Sequence, residues 1–371
     1  MKKPLLQAIL VLACAAVCTA VFAKEKNKAD KKKDISVIAY YAGDAKHIDA
    51  YPVEKLTHII YSFTHLKGNE IFVQNKNDSE TIKHLVGLKK RNPKLKIILS
   101  MGGWGGCEPC SEVFSTNEGR EAFAKSVLHT SEYFGTNGID LDWEYPAVSG
   151  FPGHRFVPED KPNFTELLKA LRKYLGKKYE ISFAAGGSVT CLHESFEWNK
   201  IAPMVDKVNI MTYDLVHGFS KVTGHHTPLY STPQQVESVD YAINYLTSIG
   251  FPANKLVIGA AFYARIFDVD VDANNGLYQP GHFDHGFDFN TYNRDSLEKA
   301  GFTYYWDDVA KAPYFYSPAK KQEITFDDKK SIALKTSYTI AKGLNGIMFW
   351  ELGNDLTKNG LLDVIDETRK K

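Results

Sequence analysis

The chain lacks a charge excess of either sign. Across 371 residues, 45 Lys and Arg stand against 44 Asp and Glu. Such a balance supplies no long-range field to steer the protein towards nucleic acid or an acidic surface. Cysteine is also scarce, at five residues. Two of these, Cys14 and Cys18, fall in an N-terminal segment read below as removable, leaving Cys107, Cys110 and Cys191. The odd number leaves one thiol over, and a zinc site needs more ligands than the Cys107-Glu-Pro-Cys110 pair supplies. That pair can close a small disulfide loop if the protein is exported, but the pairing stays open at this point. No internal repeat or low-complexity tract interrupts the folded part. Its length suits one large α/β barrel or two ordinary domains.

Aromatic residues are plentiful: 20 Tyr, 22 Phe and 5 Trp make 13% of the chain. Core packing accounts for most of them. An excess also suits a sugar-binding cleft, because pyranose rings present apolar faces that stack on aromatics. At the N-terminus, Lys2 and Lys3 precede an apolar run from Pro4 to Phe22, and Val21-Phe22-Ala23 offers small residues for cleavage. Residues 1–23 are therefore expected to be a secretory signal and 24–34 a charged, solvated linker. The product would be secreted, periplasmic or held at the cell surface. A retained membrane anchor and a lipoprotein signal at Val11-Leu12-Ala13-Cys14 are the alternatives.

Beyond residue 34, short apolar runs alternate with amphipathic stretches. The candidate strands are Ile35–Tyr41, Leu56–Phe63, Leu95–Met101, Gly138–Tyr145, Tyr179–Ala185, Lys207–Tyr213, Lys255–Tyr263 and Asn345–Glu351. Helical spacing marks Glu80–Arg91, Gly119–Phe134, Asn163–Leu175, Pro233–Ile249 and Lys330–Ala341. The third of these is expected to start at a polar cap near Asn163. Eight strands alternating with helices predict a closed (β/α)8 TIM barrel spanning 35–371, with an open doubly wound sheet as runner-up. The connection after the seventh strand is too long for a bare loop. It carries Tyr278, Tyr304, Tyr305, Trp306, Tyr314 and Tyr316. We read 266–329 as an inserted α+β subdomain at the barrel mouth.

The most informative stretch is Asn137-Gly138-Ile139-Asp140-Leu141-Asp142-Trp143-Glu144-Tyr145-Pro146. Side chains of a strand alternate faces, so Ile139, Leu141 and Trp143 lie on one side and Asp140, Asp142 and Glu144 on the other. In a barrel, the apolar set packs on helices while the acids enter the lumen. Carboxylates stacked at ~7 Å steps away from water raise at least one pKa and titrate as a group. That keeps a carboxylic acid protonated near neutrality. Glu144 is nearest the strand's C-terminal end, where barrel active sites open, and is assigned general acid. A solvated strand edge fits acids beside Leu and Trp poorly. A divalent-metal site is the stronger rival on this strand alone.

Asn137–Pro146 closely resembles the catalytic signature of glycoside hydrolase family 18, the chitinase family, usually written Asp-Gly-x-Asp-x-Asp-x-Glu. Ser100-Met101-Gly102-Gly103-Trp104 resembles the family's Ser-x-Gly-Gly segment, and Met211-Thr212-Tyr213-Asp214 its Met-x-Tyr-Asp segment. Tyr263-Ala264-Arg265 stands where many members carry Tyr-Gly-Arg, and Trp350 matches a tryptophan ending strand eight. The resemblance implies a (β/α)8 barrel with an α+β insertion and a substrate-assisted mechanism, outside the usual two-carboxylate scheme. It assigns Glu144 as acid and then base, Asp142 to the substrate's acetamido group with Asp140 behind it, and Tyr213 as a donor to that group. It assigns substrate contact to Tyr40, Phe63, Gly103, Trp104, Met211, Asp214, Tyr263, Arg265 and Trp350, the last as floor beneath the reacting sugar. No metal and no cofactor are implied. The implied partner is chitin or N-acetylglucosamine oligosaccharide, not nucleic acid, and the implied state is a monomer.

Four departures qualify the match. Asn137 replaces the first Asp of the signature and is expected to lower activity modestly or shift the pH optimum. Ala264 replaces a Gly, with little effect expected. Asp44 stands where several chitinases place Trp, which puts a distant sugar-stacking subsite in doubt. No carbohydrate-binding module is expected beside the barrel. A chitinase is the leading reading. The others are an endo-β-N-acetylglucosaminidase acting on N-glycans, a chitin-binding lectin on an inactive barrel and a metal-dependent hydrolase.

Overall fold

The structure, a computed structural model, describes residues 34–371. The signal-peptide reading of 1–23, and all but Asp34 of the linker, lie outside the described residues. Eight parallel strands form the barrel: β1 (Ser36–Tyr41), β2 (His58–Lys67), β4 (Lys96–Gly102), β5 (Gly138–Asp142), β6 (Glu180–Gly186), β7 (Lys207–Met211), β8 (Leu256–Ala261) and β14 (Gly346–Trp350). They run in the order β1-β14-β8-β7-β6-β5-β4-β2. Direct pairing of β1 with β2, Ile38 against His58 and Tyr40 against Ile60, closes the ring and excludes the open sheet. A short β3 (Glu70–Phe72) folds back antiparallel on the end of β2.

The alternation read along β5 holds. Trp143 is buried on the outer side, with ring centroids 5.7 Å from Phe114 and 6.3 Å from Phe164. Ile139 and Leu141 join it in the core between barrel and helices. On the inner side, the polar residues form two layers. The lower is ionic: Glu180 accepts from Lys207 Nζ at 2.6 Å and Lys96 Nζ at 2.8 Å, with His58 Nε2 at 3.3 Å. Burial alone would raise the Glu180 carboxyl, but His58 and Lys207 hold it far below the carboxylate range. The upper layer surrounds Asp140.

The insertion is a five-stranded antiparallel sheet in the order β10-β9-β13-β12-β11. Its strands are β9 (Tyr263–Val269), β10 (Gly281–Asp288), β11 (Thr303–Asp307), β12 (Ala312–Ser317) and β13 (Gln322–Thr325), with a helix at Arg294–Lys299. It begins at Tyr263, so the seventh candidate strand is really two strands broken at Phe262. There the backbone N–H donates to Trp350 O at 2.9 Å, and the ring stacks on Phe349 at 4.1 Å.

Three expected helices also move, the first from Glu80–Arg91 to Lys76–Gly87, where the Asn75 side chain caps its start by accepting the Asp78 N–H. The helix expected from Asn163 spans Asp160–Leu175, and Asn163 lies inside it. Its start is fixed by the Asp160 carboxylate, which accepts the Val157 N–H and the Ser111 hydroxyl, each at 2.8 Å. Pro162 is tolerated because first-turn N–H groups lack helical partners anyway. The stretch read as Pro233–Ile249 is helical only over Val239–Ser248, capped by the Ser238 side chain. Before it, Thr232 and Gln235 exchange backbone hydrogen bonds in a turn.

Candidate active site

The described residues form a cleft of about 1060 Å³ over the C-terminal ends of the barrel strands, lined by Tyr40, Phe63, Trp104, Asp142, Glu144, Met211, Tyr213, Asp214, Tyr263, Arg265 and Trp350 among others. Eleven of the predicted positions thus converge. Asp140 lies beneath, fully buried. Gly103 acts by what it leaves out: a Cβ there would come 2.5 Å from the Phe63 ring. Its N–H donates to Asp142 O at 2.8 Å, tying the end of β4 to β5. At Gly102, φ is +117° and a Cβ would meet Asp142 O at 2.1 Å, so only glycine permits that approach.

Asp140 is held by four donors. Ser182 Oγ (2.6 Å) and Asn209 Nδ2 (3.0 Å) reach Oδ1; Tyr40 OH (3.0 Å) and Ser100 Oγ (3.1 Å) reach Oδ2. Burial raises its pKa, and these hydrogen bonds oppose the rise. Asp142 has no such support; its Oδ1 is buried without a hydrogen-bond partner. Burial first, then the charges of Glu144 and Asp140, push it well above the carboxylate range. β5 ends at Asp142 rather than at Tyr145, so Glu144 lies two residues beyond the strand, half-buried in the cleft, with its pKa raised to about 7. Burial is the main cause and the Asp214 charge adds to it. The sequence reading stressed the like charges of the buried row; for Glu144, burial is the larger cause.

Around these acids, Tyr213 packs its ring over Gly259, where a Cβ would come 2.8 Å from the ring, and points its hydroxyl to Met348 Sδ at 3.8 Å. Trp350 is stacked on Phe63 with centroids 5.5 Å apart and planes at 15°, and tilted against Tyr40 at 6.0 Å. Arg265 clasps Asp214 bidentately, Nε to Oδ1 at 2.5 Å and Nη2 to Oδ2 at 2.6 Å, while Tyr263 OH donates at 2.8 Å. Burial opposes ionisation of Asp214, but His226 and Arg265 outweigh it and hold the carboxyl low. Trp104 is half exposed at the rim, 5.4 Å from Phe151 and 6.5 Å from Phe219. The peptide bonds Ser62–Phe63, Glu144–Tyr145 and Trp350–Glu351 are cis.

The departures take different places. Asn137 is not near the acids. It sits at the closed end of the barrel, about 10 Å below Asp140 along the strand, where its side-chain oxygen accepts the Ile97 N–H at 3.0 Å. That placement removes the basis for expecting a shifted pH optimum. Ala264 is buried in the insertion core. The Asp44 carboxylate caps its own turn, accepting from Lys46 N at 2.8 Å and His47 N at 3.0 Å, and offers no platform for a sugar. Among the described residues, no group of three or more His, Cys, Asp or Glu is arranged to hold a metal ion. Sequence reasoning missed Ser182 and Asn209, although both stand at inward strand positions. It also missed the far wall formed by His217, Phe219 and Phe283.

Comparison with known proteins agrees with this architecture. The family model for glycosyl hydrolases family 18 matches residues 36–355. Chitinase A1 of Niallia circulans is 40% identical over 301 residues, covering 75% of this chain and 43% of that protein. The chain thus spans less than half the length of that relative. Chitotriosidase-1 of Mus musculus is 33% identical over 324 residues, covering 81% of this chain and 67% of that protein. Among solved structures, the family 18 N-acetylglucosaminidase from Paenibacillus barengoltzii superposes with a TM-score of 0.82 at 36% identity, covering 90% of this chain and 99% of that one. The chain belongs to glycosyl hydrolase family 18.

Proposed function

We propose that this chain hydrolyses β-1,4 linkages between N-acetylglucosamine units of chitin or its oligomers, with retention and with the substrate's own acetamido group as nucleophile. The observation that carries the reading is a half-buried Glu144, with its pKa raised to about 7, in a cleft floored by Trp350. A carboxyl tuned to that range can give a proton to the glycosidic oxygen and later take one from water. Asp142, unpaired at Oδ1 and flanked by Asp140 and Glu144, is placed to accept the acetamido N–H. The acetamido oxygen then attacks the anomeric carbon as the C–O bond to the leaving sugar breaks and Glu144 supplies the proton. The Tyr213 hydroxyl, pointing at a poor acceptor in Met348 Sδ, is free to donate to the acetamido oxygen. Water opens the cyclic intermediate with Glu144 as base.

A second reading, cleavage of single N-acetylglucosamine units from chain ends, is favoured by Asp44. It stands where the resemblance puts a sugar-stacking Trp, and its carboxylate is folded onto its own turn. Export is part of the proposal, supported by the N-terminal apolar run and by the Cys107–Cys110 disulfide.

The test is turnover of defined N-acetylglucosamine oligomers, with N-glycans alongside, by wild type and Glu144→Gln. The variant is expected to lose about 10²–10⁴ in kcat while still binding oligomer. Near-wild-type turnover by it would refute the assignment. Monomer-only products would select the second reading, and cleavage confined to N-glycans would exclude both.

A further inference from the structure

Asp214 occupies an unusual backbone position for a charged residue next to an acid. Its φ is +55°, in the left-handed region, which a non-glycine residue keeps only when its surroundings over-determine it. Arg265 and Tyr263 hold the carboxylate from β9. On the other side stands His226, which is fully buried and does not line the cleft. Its Nδ1 lies 3.5 Å from Asp214 Oδ1. Its carbonyl accepts the Leu215 N–H at 3.0 Å, fixing the chain directly after Asp214. Its own N–H donates to Thr325 Oγ1 on β13 at 3.0 Å, and its ring packs on Tyr263 at 5.3 Å. One residue therefore fixes the turn after Asp214 by its backbone, sets a ring nitrogen that has no other partner beside the Asp214 carboxylate, and ties both to the insertion.

We propose that His226 is a positioning residue, whose neutral imidazole directs an Nδ1–H at Asp214 and so fixes the negative charge that keeps the proton on Glu144. This rests on Glu144 being the acid. The tautomer follows from electrostatics: a bare Nδ1 lone pair facing a carboxylate oxygen would be repelled. The charged and titratable groups around the ring are Asp214 from the segment after β7, Tyr263 and Arg265 from β9, and Asp327 beyond β13. Asp327 is itself paired with Lys335 at 2.6 Å. Burial lowers the imidazole pKa more than Asp214 raises it, so the ring stays neutral while Glu144 titrates. With the donor lost, the Asp214 carboxylate loosens. Its charge then acts less on Glu144, which releases its proton at lower pH.

The experiment compares His226→Leu with His226→Asn, which keeps a side-chain N–H. Leucine is expected to lower kcat at least fivefold with KM within twofold, and to move the alkaline limb of kcat/KM to lower pH. Asparagine is expected to stay within twofold, with its limb unmoved. A wild-type profile in the leucine variant, or equal losses in both, overturns the positioning role. Should leucine prevent folding, ¹⁵N NMR of histidine-labelled wild type, assigned with the asparagine variant, decides: Nδ1–H supports the proposal and an Nε2–H tautomer overturns it. Glu144→Gln is assayed in parallel. Its failure to lose turnover would remove the acid and His226 together, whereas an inactive Glu144→Gln beside a wild-type leucine profile would remove His226 alone.

Discussion

Glu144 keeps its proton more firmly in the folded chain than in the unfolded one, and that has a thermodynamic signature besides the catalytic one. Its folded pKa of about 7 lies above the reference value of 4.5. Between those values the folded chain holds a proton that the unfolded chain has released, so stability falls as pH rises through this window. Glu144→Gln removes the penalty. Relative to wild type, it is expected to gain about 1–3 kcal/mol at pH 8 and nothing near pH 4, which urea denaturation at the two pH values will show. A constant difference across pH would mean that Glu144 is not the group held protonated. At this scale the sequence was legible where periodicity speaks: Asp140, Asp142 and Glu144 share a face because strand side chains alternate. It was silent about Ser182 and Asn209. Their inward parity is visible, but which strand neighbours which layer is set by the stagger of the closed barrel. His226 was harder still, because nothing local marks a loop histidine as the neighbour of Asp214.

At the scale of elements, the insertion and the barrel are locked together by buried polar contacts. Lys335 is wholly buried on the helix Lys329–Ala341 and donates to Asp327 Oδ2 at 2.6 Å and Thr227 Oγ1 at 2.5 Å. Asp327 in turn accepts the Ala261 N–H at 3.1 Å, at the end of β8. Lys335→Met would leave Asp327 buried without its counter-charge. It is expected to cost about 3–5 kcal/mol, read as a lowered urea midpoint; a loss below 1 kcal/mol would mean that Asp327 takes up a proton instead. Element order and type were largely readable, because short β-branched runs and amphipathic stretches alternate strictly. Boundaries slipped where tertiary contacts decide them. The Phe262 break is a hydrogen bond to Trp350, and the Asp160 start is a bond to Ser111 from a different helix. Trp350 and Ser111 are both distant in sequence, although Asp160 also accepts the nearby Val157 N–H.

Over the described chain, thiol chemistry follows from placement. Cys107 and Cys110 are joined, and Cys191 is a buried free thiol whose pKa burial raises to about 12. Residues 34–371 are therefore expected to show one thiol that a maleimide labels only after denaturation; labelling of the native protein within minutes would contradict that burial. Closing so short a loop contributes only about 2 kcal/mol on loop entropy, so mild reduction is expected to leave the fold standing. The two stacked polar layers have another consequence. With Asp140 and its four donors above, and Glu180 with its cationic neighbours below, the lumen is stoppered beneath the cleft. Nothing can thread the ring. Under the proposed reaction, the water that finishes a cycle must therefore reach Glu144 from the cleft side, the side on which the freed sugar also leaves.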